Sequence, residues 1–142
     1  MDVDRRQLAG ALDDVVIGLR RRTLHRQGLS LTAAATLTTL RHCGSSRLTD
    51  LAVTEGVSQP SMTALVARLA DQGLVQRRTD PGDRRAVLIG LTPAGADLLD
   101  RRRADRAARL AGPLDRLDDD DVRAISGALP ALARLAGAPA HP

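Results

Sequence analysis

The sequence predicts a mainly α-helical fold that carries one small β-hairpin. Apolar residues recur at helical spacing along most of the 142 residues, and this spacing gives way to two short strand-like runs within residues 74–91. The chain is 43% hydrophobic and 27% charged but has no aromatic residue, so aliphatic side chains must form its core. This length fits one compact domain, or one domain with a helical extension.

Two helices are predicted in the first third of the chain. The first covers about residues 4–24 and ends at Gln27-Gly28, and the second begins at Thr32, a residue type that often caps a helix N-terminus. Gly44 and the serines after it end the second helix. The apolar stripes of the two helices are Leu8, Leu12, Val15, Val16 and Leu19, and Ala33, Leu37 and Leu40, respectively.

A helix-turn-helix pattern follows. A short third helix over residues 48–55 is followed by a turn at Gly56. Ser58 is expected to cap a fourth helix, and Pro60 lies in its first turn, where a missing N–H costs nothing. Gly73 is expected to end this helix at the C′ position. The apolar stripe of the fourth helix is Met62, Leu65, Val66 and Leu69.

The hairpin and two further helices complete the prediction. Strands over 74–78 and 86–91 flank a polar loop that contains a Pro-Gly pair. A Thr-Pro pair at 92–93 begins the fifth helix, which is expected to kink or break at the Gly-Pro pair 112–113. The last helix begins in the acidic run 118–121. Its only proline, Pro130, is expected to bend or divide it, and the tail Gly137–Pro142 is expected to fray.

The exposed face of the fourth helix and the hairpin carry the candidate functional residues. Polar side chains opposite the apolar stripe suit base edges and phosphates in a major groove. Arg85 at the hairpin tip suits a minor groove, and Asp83 is expected to hold its guanidinium by a charge-assisted pair. The predicted DNA-contacting residues are Ser58, Gln59, Pro60, Ser61, Thr63, Arg68, Arg77, Asp83, Arg84 and Arg85.

These segments resemble the MarR family of winged helix-turn-helix transcriptional regulators, and the resemblance covers roughly residues 48–95. The matching stretches are LTDLA at 48–52, GVSQPSMT at 56–63, LVARL at 65–69, GLVQRR at 73–78, DPGDRR at 80–85 and LTPAG at 91–95. The resemblance implies a homodimer whose first, fifth and sixth helices interlock. It also implies that helix 58–72 enters the major groove of a pseudo-palindromic double-stranded operator and that Arg85 enters the minor groove. A ligand-responsive repressor, controlled by a small-molecule effector, is expected.

The resemblance also implies a division of the chain by task. An N-terminal dimerisation helix is expected over residues 1–30, and the winged helix-turn-helix DNA-binding region over 31–95. The C-terminal dimerisation helices and tail are expected over 96–142.

No apolar run reaches the ~20 residues that span a bilayer, and the N-terminal residues lack the core of a signal peptide. A cytoplasmic protein without a membrane partner is therefore expected.

Other classes of protein are weighed on a few residues. The three His are scattered along the sequence and no Gly-rich phosphate loop follows a strand, so no enzyme and no cofactor are predicted. His42 and Cys43, with His25 one helix away, leave a metal- or redox-responsive winged-helix repressor as an alternative. A winged module that binds another protein is a further alternative, although it has no need of Arg84 and Arg85 at the tip. All 21 basic residues are Arg, whose planar fork suits phosphate and guanine.

Overall fold

The structure is a computed structural model that describes residues 3–24 and 28–137. This part of the chain forms six helices and a three-stranded sheet, which confirms the predicted mainly α fold with a small β wing. None of these helices has both the length and the apolar content needed to cross a membrane. The elements are α1 (Arg5–Thr23), α2 (Leu31–Cys43), β1 (Ser46–Arg47), α3 (Leu48–Thr54), α4 (Gln59–Asp71), β2 (Val75–Asp80), β3 (Asp83–Leu91), α5 (Pro93–Leu114) and α6 (Asp119–Leu135).

The chain divides into two compact units. The winged unit consists of residues 25–105 and contains α2, the helix-turn-helix, the sheet and the first part of α5. The terminal unit consists of residues 1–24 and 106–142 and contains α1, the rest of α5 and α6. The division falls inside α5, between Asp105 and Arg106.

The winged unit encloses a hydrophobic core. Leu37 of α2, Val66 of α4 and Ile89 of β3 are each 0% exposed, so the core joins the helices to the sheet. Burying one such side chain contributes about 1.5–3 kcal/mol. The apolar stripes predicted for α2 and α4 are confirmed. The buried apolar residues are Ala33, Leu37, Leu40, Leu51, Ala52, Met62, Leu65, Val66, Leu69, Leu74, Val75, Ile89 and Leu99.

The start of α2 corrects a prediction. Ser30, not Thr32, is the N-cap, and its Oγ accepts a hydrogen bond from the Ala33 N–H at 3.1 Å. Thr32 lies in the first turn of α2, where its carbonyl oxygen accepts from the hydroxyl of the buried Thr36 at 2.8 Å. Both residues are of a type that caps helices. The apolar Leu31 between them is 63% exposed and gives no sign of which one does.

The sheet has the order β1-β3-β2, and both pairings are antiparallel. The two-residue strand β1 was not predicted. Strands β2 and β3 reach further than the prediction, because the connecting turn contains only Pro81 and Gly82 and not a loop of seven residues. The Asp80 carboxylate accepts from the Gly82 N–H at 2.9 Å, which closes this turn.

The hairpin is fixed to α5 by a single threonine. The Thr92 hydroxyl donates to the Gly73 carbonyl at 2.6 Å and accepts from the Gly95 N–H at 3.1 Å. The prediction that Thr92 caps α5 is therefore confirmed. A Cβ on Gly95 would overlap the Leu74 carbonyl oxygen, so only glycine fits where α5 passes the start of the hairpin.

Two helices of the terminal unit were predicted to bend or break at a proline, and neither is divided there. α5 continues through Gly112-Pro113 and ends at Leu114, the next residue. α6 starts at the N-cap Asp118, whose carboxylate accepts from the Asp121 N–H at 2.8 Å, and Pro130 does not divide it. The predicted fraying of the tail concerns residues that lie, apart from Gly137, outside the described part of the chain.

Neither α1 nor α6 contributes a buried residue in the isolated chain. The apolar stripe of α6 repeats at helical spacing, yet its members stay between about two-fifths and three-quarters exposed. α1 leaves its own apolar side chains exposed in the same way. The exposed apolar residues of the two helices are Leu8, Val15, Val16, Ile17 and Leu19, and Val122, Ile125, Leu129, Leu132 and Leu135.

Candidate nucleic-acid interface

The N-terminus of α4 is a capped and exposed helix start. The Ser58 Oγ accepts from the Ser61 N–H at 3.3 Å and donates to the Ser61 hydroxyl at 2.9 Å, which confirms the predicted cap. Pro60 lies in the first turn, where no backbone donor is needed. Uncapped first-turn N–H groups carry the positive end of the helix dipole. This end of α4 is therefore suited to an anionic partner such as a phosphate.

The exposed side of α4 has two polar flanks. At about 100° per residue, Gln59 and Thr63 lie together on one flank, and Ser61 lies with Arg68 on the other. All four side chains are exposed, whereas the apolar stripe between the flanks is buried. The Thr63 hydroxyl donates to the Gln59 carbonyl at 2.9 Å, so its oxygen and methyl group are what it can offer to a partner.

Arg68 faces a cavity in the winged unit. The cavity has a volume of about 570 Å³ and is also lined by Arg101 and Arg102 of α5. The Nε of Arg102 is buried and has no hydrogen-bond partner in the described part of the chain. Arg68 is therefore separated from Gln59 and Thr63, with which the sequence grouped it.

The hairpin presents its arginines next to a two-residue turn. Arg84 and Arg85 are the second and third residues of β3, after Asp83, and Arg77 lies on β2; all three are exposed. Asp83 was expected to pair with the Arg85 guanidinium, but that ion pair is not among those formed by the described residues. Its carboxylate instead accepts from the Arg85 backbone N–H at 3.0 Å, so Asp83 shapes the backbone after the turn.

A groove separates the hairpin from the start of α3. It has a volume of about 380 Å³. Leu48 and Thr49 line one side, and Arg85 and Val87 line the other. The predicted minor-groove residue and the first turn of α3 thus border the same opening.

Two residues of this region were missed by the sequence reasoning. The Asp80 carboxylate accepts from the Arg47 guanidinium at 2.8 and 3.1 Å, in addition to the Gly82 N–H. These contacts, the Gly82 N–H first and the Arg47 side chain second, lower the pKa of Asp80 below its ordinary value. An Asp before a Pro-Gly pair is typical of a turn whose side chain accepts a backbone N–H, so this signal could have identified Asp80. The partner Arg47 lies 33 residues away and has no such signal.

The comparison with known proteins places the chain in a family. The sequence model of the MarR family matches residues 29–87. The HTH-type transcriptional regulator Mb0904 of Mycobacterium bovis is 37% identical over 139 residues, which cover 93% of this chain and 96% of the relative. The chain belongs to the MarR family. Another similar regulator, ML2140 of Mycobacterium leprae, is 37% identical over 84% of this chain and 85% of its own length. This MarR-family chain is accordingly a helix-turn-helix transcriptional regulator.

Solved structures share the MarR-family fold at lower sequence identity. The transcriptional regulator Tm0710 of Thermotoga maritima superposes with a TM-score of 0.80 at 22% identity, covering 92% of this chain and 94% of that one. RV1404 of Mycobacterium tuberculosis gives a TM-score of 0.81 at 22% identity over the whole of both chains. At this identity the likeness concerns the fold.

The residues behind the metal- or redox-responsive alternative are only partly described. His25 lies outside the described residues, and Cys43 is exposed at the C-terminal end of α2. Within residues 3–24 and 28–137, no group of three or more His, Cys, Asp and Glu side chains could hold a metal ion.

Proposed function

We propose that this MarR-family regulator binds a pseudo-palindromic double-stranded operator as a homodimer and represses transcription from it. One observation carries the proposal: the capped α4, with exposed Gln59 and Thr63, belongs to the same compact unit as a hairpin whose turn is followed by two exposed arginines. A helix and a basic hairpin of this kind match the wide and the narrow groove of DNA.

The side chains divide into base-reading and positioning groups. The Gln59 amide carries a donor and an acceptor, which match the N7 acceptor and the N6 donor of adenine in the major groove. The Thr63 methyl group suits a thymine methyl. Arg85 suits the negative potential of a narrow minor groove. Arg77 and Arg84, together with Ser58 and Pro60 at the start of α4, are assigned to the phosphate backbone, which fixes register without reading sequence.

The decisive experiment compares a selected operator with a scrambled duplex. Gln59→Ala should weaken binding to the operator by about 1–3 kcal/mol and should affect the scrambled duplex much less. Gln7→Ala, at an exposed position of α1 outside its apolar stripe, is the matched control and should leave both affinities unchanged. For the wild type, log affinity should fall with log salt at a slope of about −0.9 per neutralised phosphate. A flat salt titration, or an equal loss on both duplexes, contradicts the assignment of α4.

The terminal unit supports the homodimer. Its helices α1 and α6 expose apolar stripes that a soluble chain does not normally leave in contact with water. A second copy presents the same stripes, so a two-fold arrangement can bury both sets at once. Two winged units in one dimer can then occupy two half-sites, about one helical turn apart. The division of tasks expected from sequence, with 1–30 and 96–142 for dimerisation and 31–95 for DNA, is part of this proposal.

The cavity beside Arg68 supports control by a small molecule with an acidic group. Three guanidinium groups line it beside the single carboxylate of Asp105, and the buried Arg102 Nε has no partner among the described residues, so an anion can supply one. Because Arg68 belongs to α4, a ligand held in this cavity can bias the position of α4, the helix proposed to read the operator. The cavity is best tested by thermal unfolding with a panel of small carboxylic acids: Arg102→Ala should abolish any shift, and shifts that persist in this variant argue against the site.

Two relatives are consistent with repression and ligand control. The transcriptional repressor NicR of Pseudomonas putida is 45% identical over 65 residues, which cover 46% of this chain and 41% of NicR. BpsR of Bordetella bronchiseptica, whose DNA binding is regulated by 6-hydroxynicotinic acid, superposes with a TM-score of 0.56 at 22% identity. These properties are those of NicR and BpsR, and they make a repressor with an acidic effector the first hypothesis to test here.

A further inference from the structure

The Asp80 carboxylate joins the turn of the hairpin to the start of α3. Its Oδ1 accepts from the Gly82 N–H at 2.9 Å, and its Oδ2 accepts from Arg47 Nε at 3.1 Å and Nη2 at 2.8 Å. Arg47 lies in β1 and is also the residue directly before α3. One side chain therefore fixes the far end of the hairpin against the first helix of the helix-turn-helix.

The neighbouring arginine does not compete for this carboxylate. Arg47 and Arg78 stand opposite the same residue of β3, one on each side, so both lie on the same face of the sheet. Arg78 Nη2 is instead directed at the Ser45 hydroxyl, 3.5 Å away. Gly90 makes this possible, because a Cβ there would lie 2.9 Å from the Ser45 Oγ and 3.6 Å from Arg78 Nη2. Arg47 is therefore the arginine that pairs with the Asp80 carboxylate.

The Arg47–Asp80 pair is more constrained than an ordinary surface ion pair. The Asp80 side chain is only 15% exposed, while that of Arg47 is 46% exposed. Both carboxylate oxygens are used, and one of them receives two donors of the same guanidinium. The Gly82 N–H and the Arg47 guanidinium also lower the pKa of Asp80 below its ordinary value, because both favour the charged carboxylate. Charge-assisted bonds in a fixed geometry hold position better than single exposed pairs do.

We propose that Asp80 is a positioning residue for DNA binding, which holds the hairpin against the start of α3 so that Arg85 and α4 reach adjacent grooves together. The proposal rests on the proposed function. The groove of about 380 Å³ is lined by Arg47 and Leu48 on one side and by Arg85 on the other, and it is this separation that the pair fixes. Asp80 acts through Arg85 and makes no contact with DNA itself.

Asp80→Asn and a double-mutant cycle with Arg85→Ala test this role. Asp80→Asn should weaken operator binding roughly fivefold, as expected for one partly exposed charged contact. It should also remove the protection of the operator's minor grooves that Arg85 is proposed to enter, while the base contacts of α4 persist. In the Arg85→Ala background the same change should cost almost nothing further. Asp120→Asn, which removes an exposed ion pair with Arg123 in α6, is the matched control and should not alter affinity.

Arg47→Gln keeps the contact of Asp80 with the Gly82 N–H and removes only the ion pair that joins the hairpin to the start of α3. It should reproduce the affinity loss of Asp80→Asn and should also be silent when Arg85 is already alanine. An additive loss in that background means that Arg47 or Asp80 acts on DNA independently of the wing, and it overturns the proposal. Equal weakening by Asp120→Asn overturns it as well.

A measurement without DNA separates this inference from the proposed function. If the wild type binds no selected duplex, the proposed function fails, and amide hydrogen exchange in the free protein still decides the role of the pair. Arg47→Gln should raise the exchange rates of hairpin residues 84–87 while leaving those of α4 unchanged. Unchanged exchange in the hairpin shows that the pair does not position it and sinks the inference.

Discussion

Five of the short polar side chains at the starts of helices and at turns show how backbone donors are satisfied there. In each case an oxygen accepts from an N–H two or three residues ahead, which has no partner within its own helix or strand. Because these contacts are local, sequence can predict them, as it did for Ser58 and Thr92. The residues are Ser58, Asp80, Asp83, Thr92 and Asp118.

Removing the Ser58 cap should destabilise the protein measurably. Ser58→Ala deletes the acceptor of the Ser61 N–H and should lower the free energy of unfolding by about 1 kcal/mol. Urea unfolding at a fixed protein concentration measures the loss. Ser126→Ala, at an exposed position inside α6, has no cap to lose and should change stability by less than about 0.5 kcal/mol. Equal effects of the two substitutions contradict the capping role.

The Asp80 carboxyl should titrate below the ordinary range of an aspartate. The Gly82 N–H and Arg47 favour its charged form, so their stabilising effect is complete above the ordinary pKa and is lost as pH falls through the lowered one. Carbon-13 NMR of the carboxyl group measures the pKa directly. In Arg47→Gln it should rise but stay below the ordinary value, because the Gly82 contact remains. An ordinary pKa in the wild type contradicts the geometry.

Among the elements, those whose signal is local were predicted and those that depend on distant partners were not. The stripes of α2 and α4 follow from the 3.6-residue period, and burial confirms them. β1 has only two residues and exists because it pairs with β3, some 40 residues later. The turn at Pro81-Gly82 proved shorter than predicted, because polar residues such as Asp83 and Arg84 look like loop yet continue the strand.

The joint between the hairpin and α5 should be intolerant of any side chain. Gly95→Ala places a Cβ on the Leu74 carbonyl oxygen, and the required backbone shift should cost about 1–3 kcal/mol. Gly10→Ala is the matched control: it lies in α1 opposite the apolar stripe with nothing within 4 Å, and should be neutral or stabilising by up to about 1 kcal/mol. Thermal unfolding of both variants checks this, and a silent Gly95→Ala contradicts the close approach.

At the scale of the whole molecule, the two units differ in how many apolar side chains they bury. The winged unit buries thirteen apolar residues, which lie between Ala33 and Leu99 in the sequence, and it also buries the polar Thr36 completely. The helices α1 and α6 of the terminal unit bury none. Sequence shows the apolar stripe of α6 but not whether it is covered within the chain or by a second copy, because both give the same periodicity.

An acidic substitution in α6 should separate the dimer. Ile125 is 42% exposed in the isolated chain, and Ile125→Asp would bury a charge in the proposed contact, at a cost of several kcal/mol. Sedimentation should show a monomer at micromolar concentration, with operator affinity lost in parallel. Val53→Asp, at an apolar position of α3 that is 82% exposed, is the control and should remain dimeric. A dimeric Ile125→Asp protein contradicts the role of α6.

The wholly aliphatic core, with Met62 as its one sulfur-containing member, determines how this regulator can be observed. Without Phe, Tyr or Trp, the polypeptide is nearly transparent in the near ultraviolet and has no intrinsic ring fluorescence. Any absorbance or emission there belongs to a nucleotide or an aromatic effector, so complex formation can be followed without background. Every buried apolar side chain carries a methyl group, and methyl resonances would therefore report on the entire interior of the winged unit.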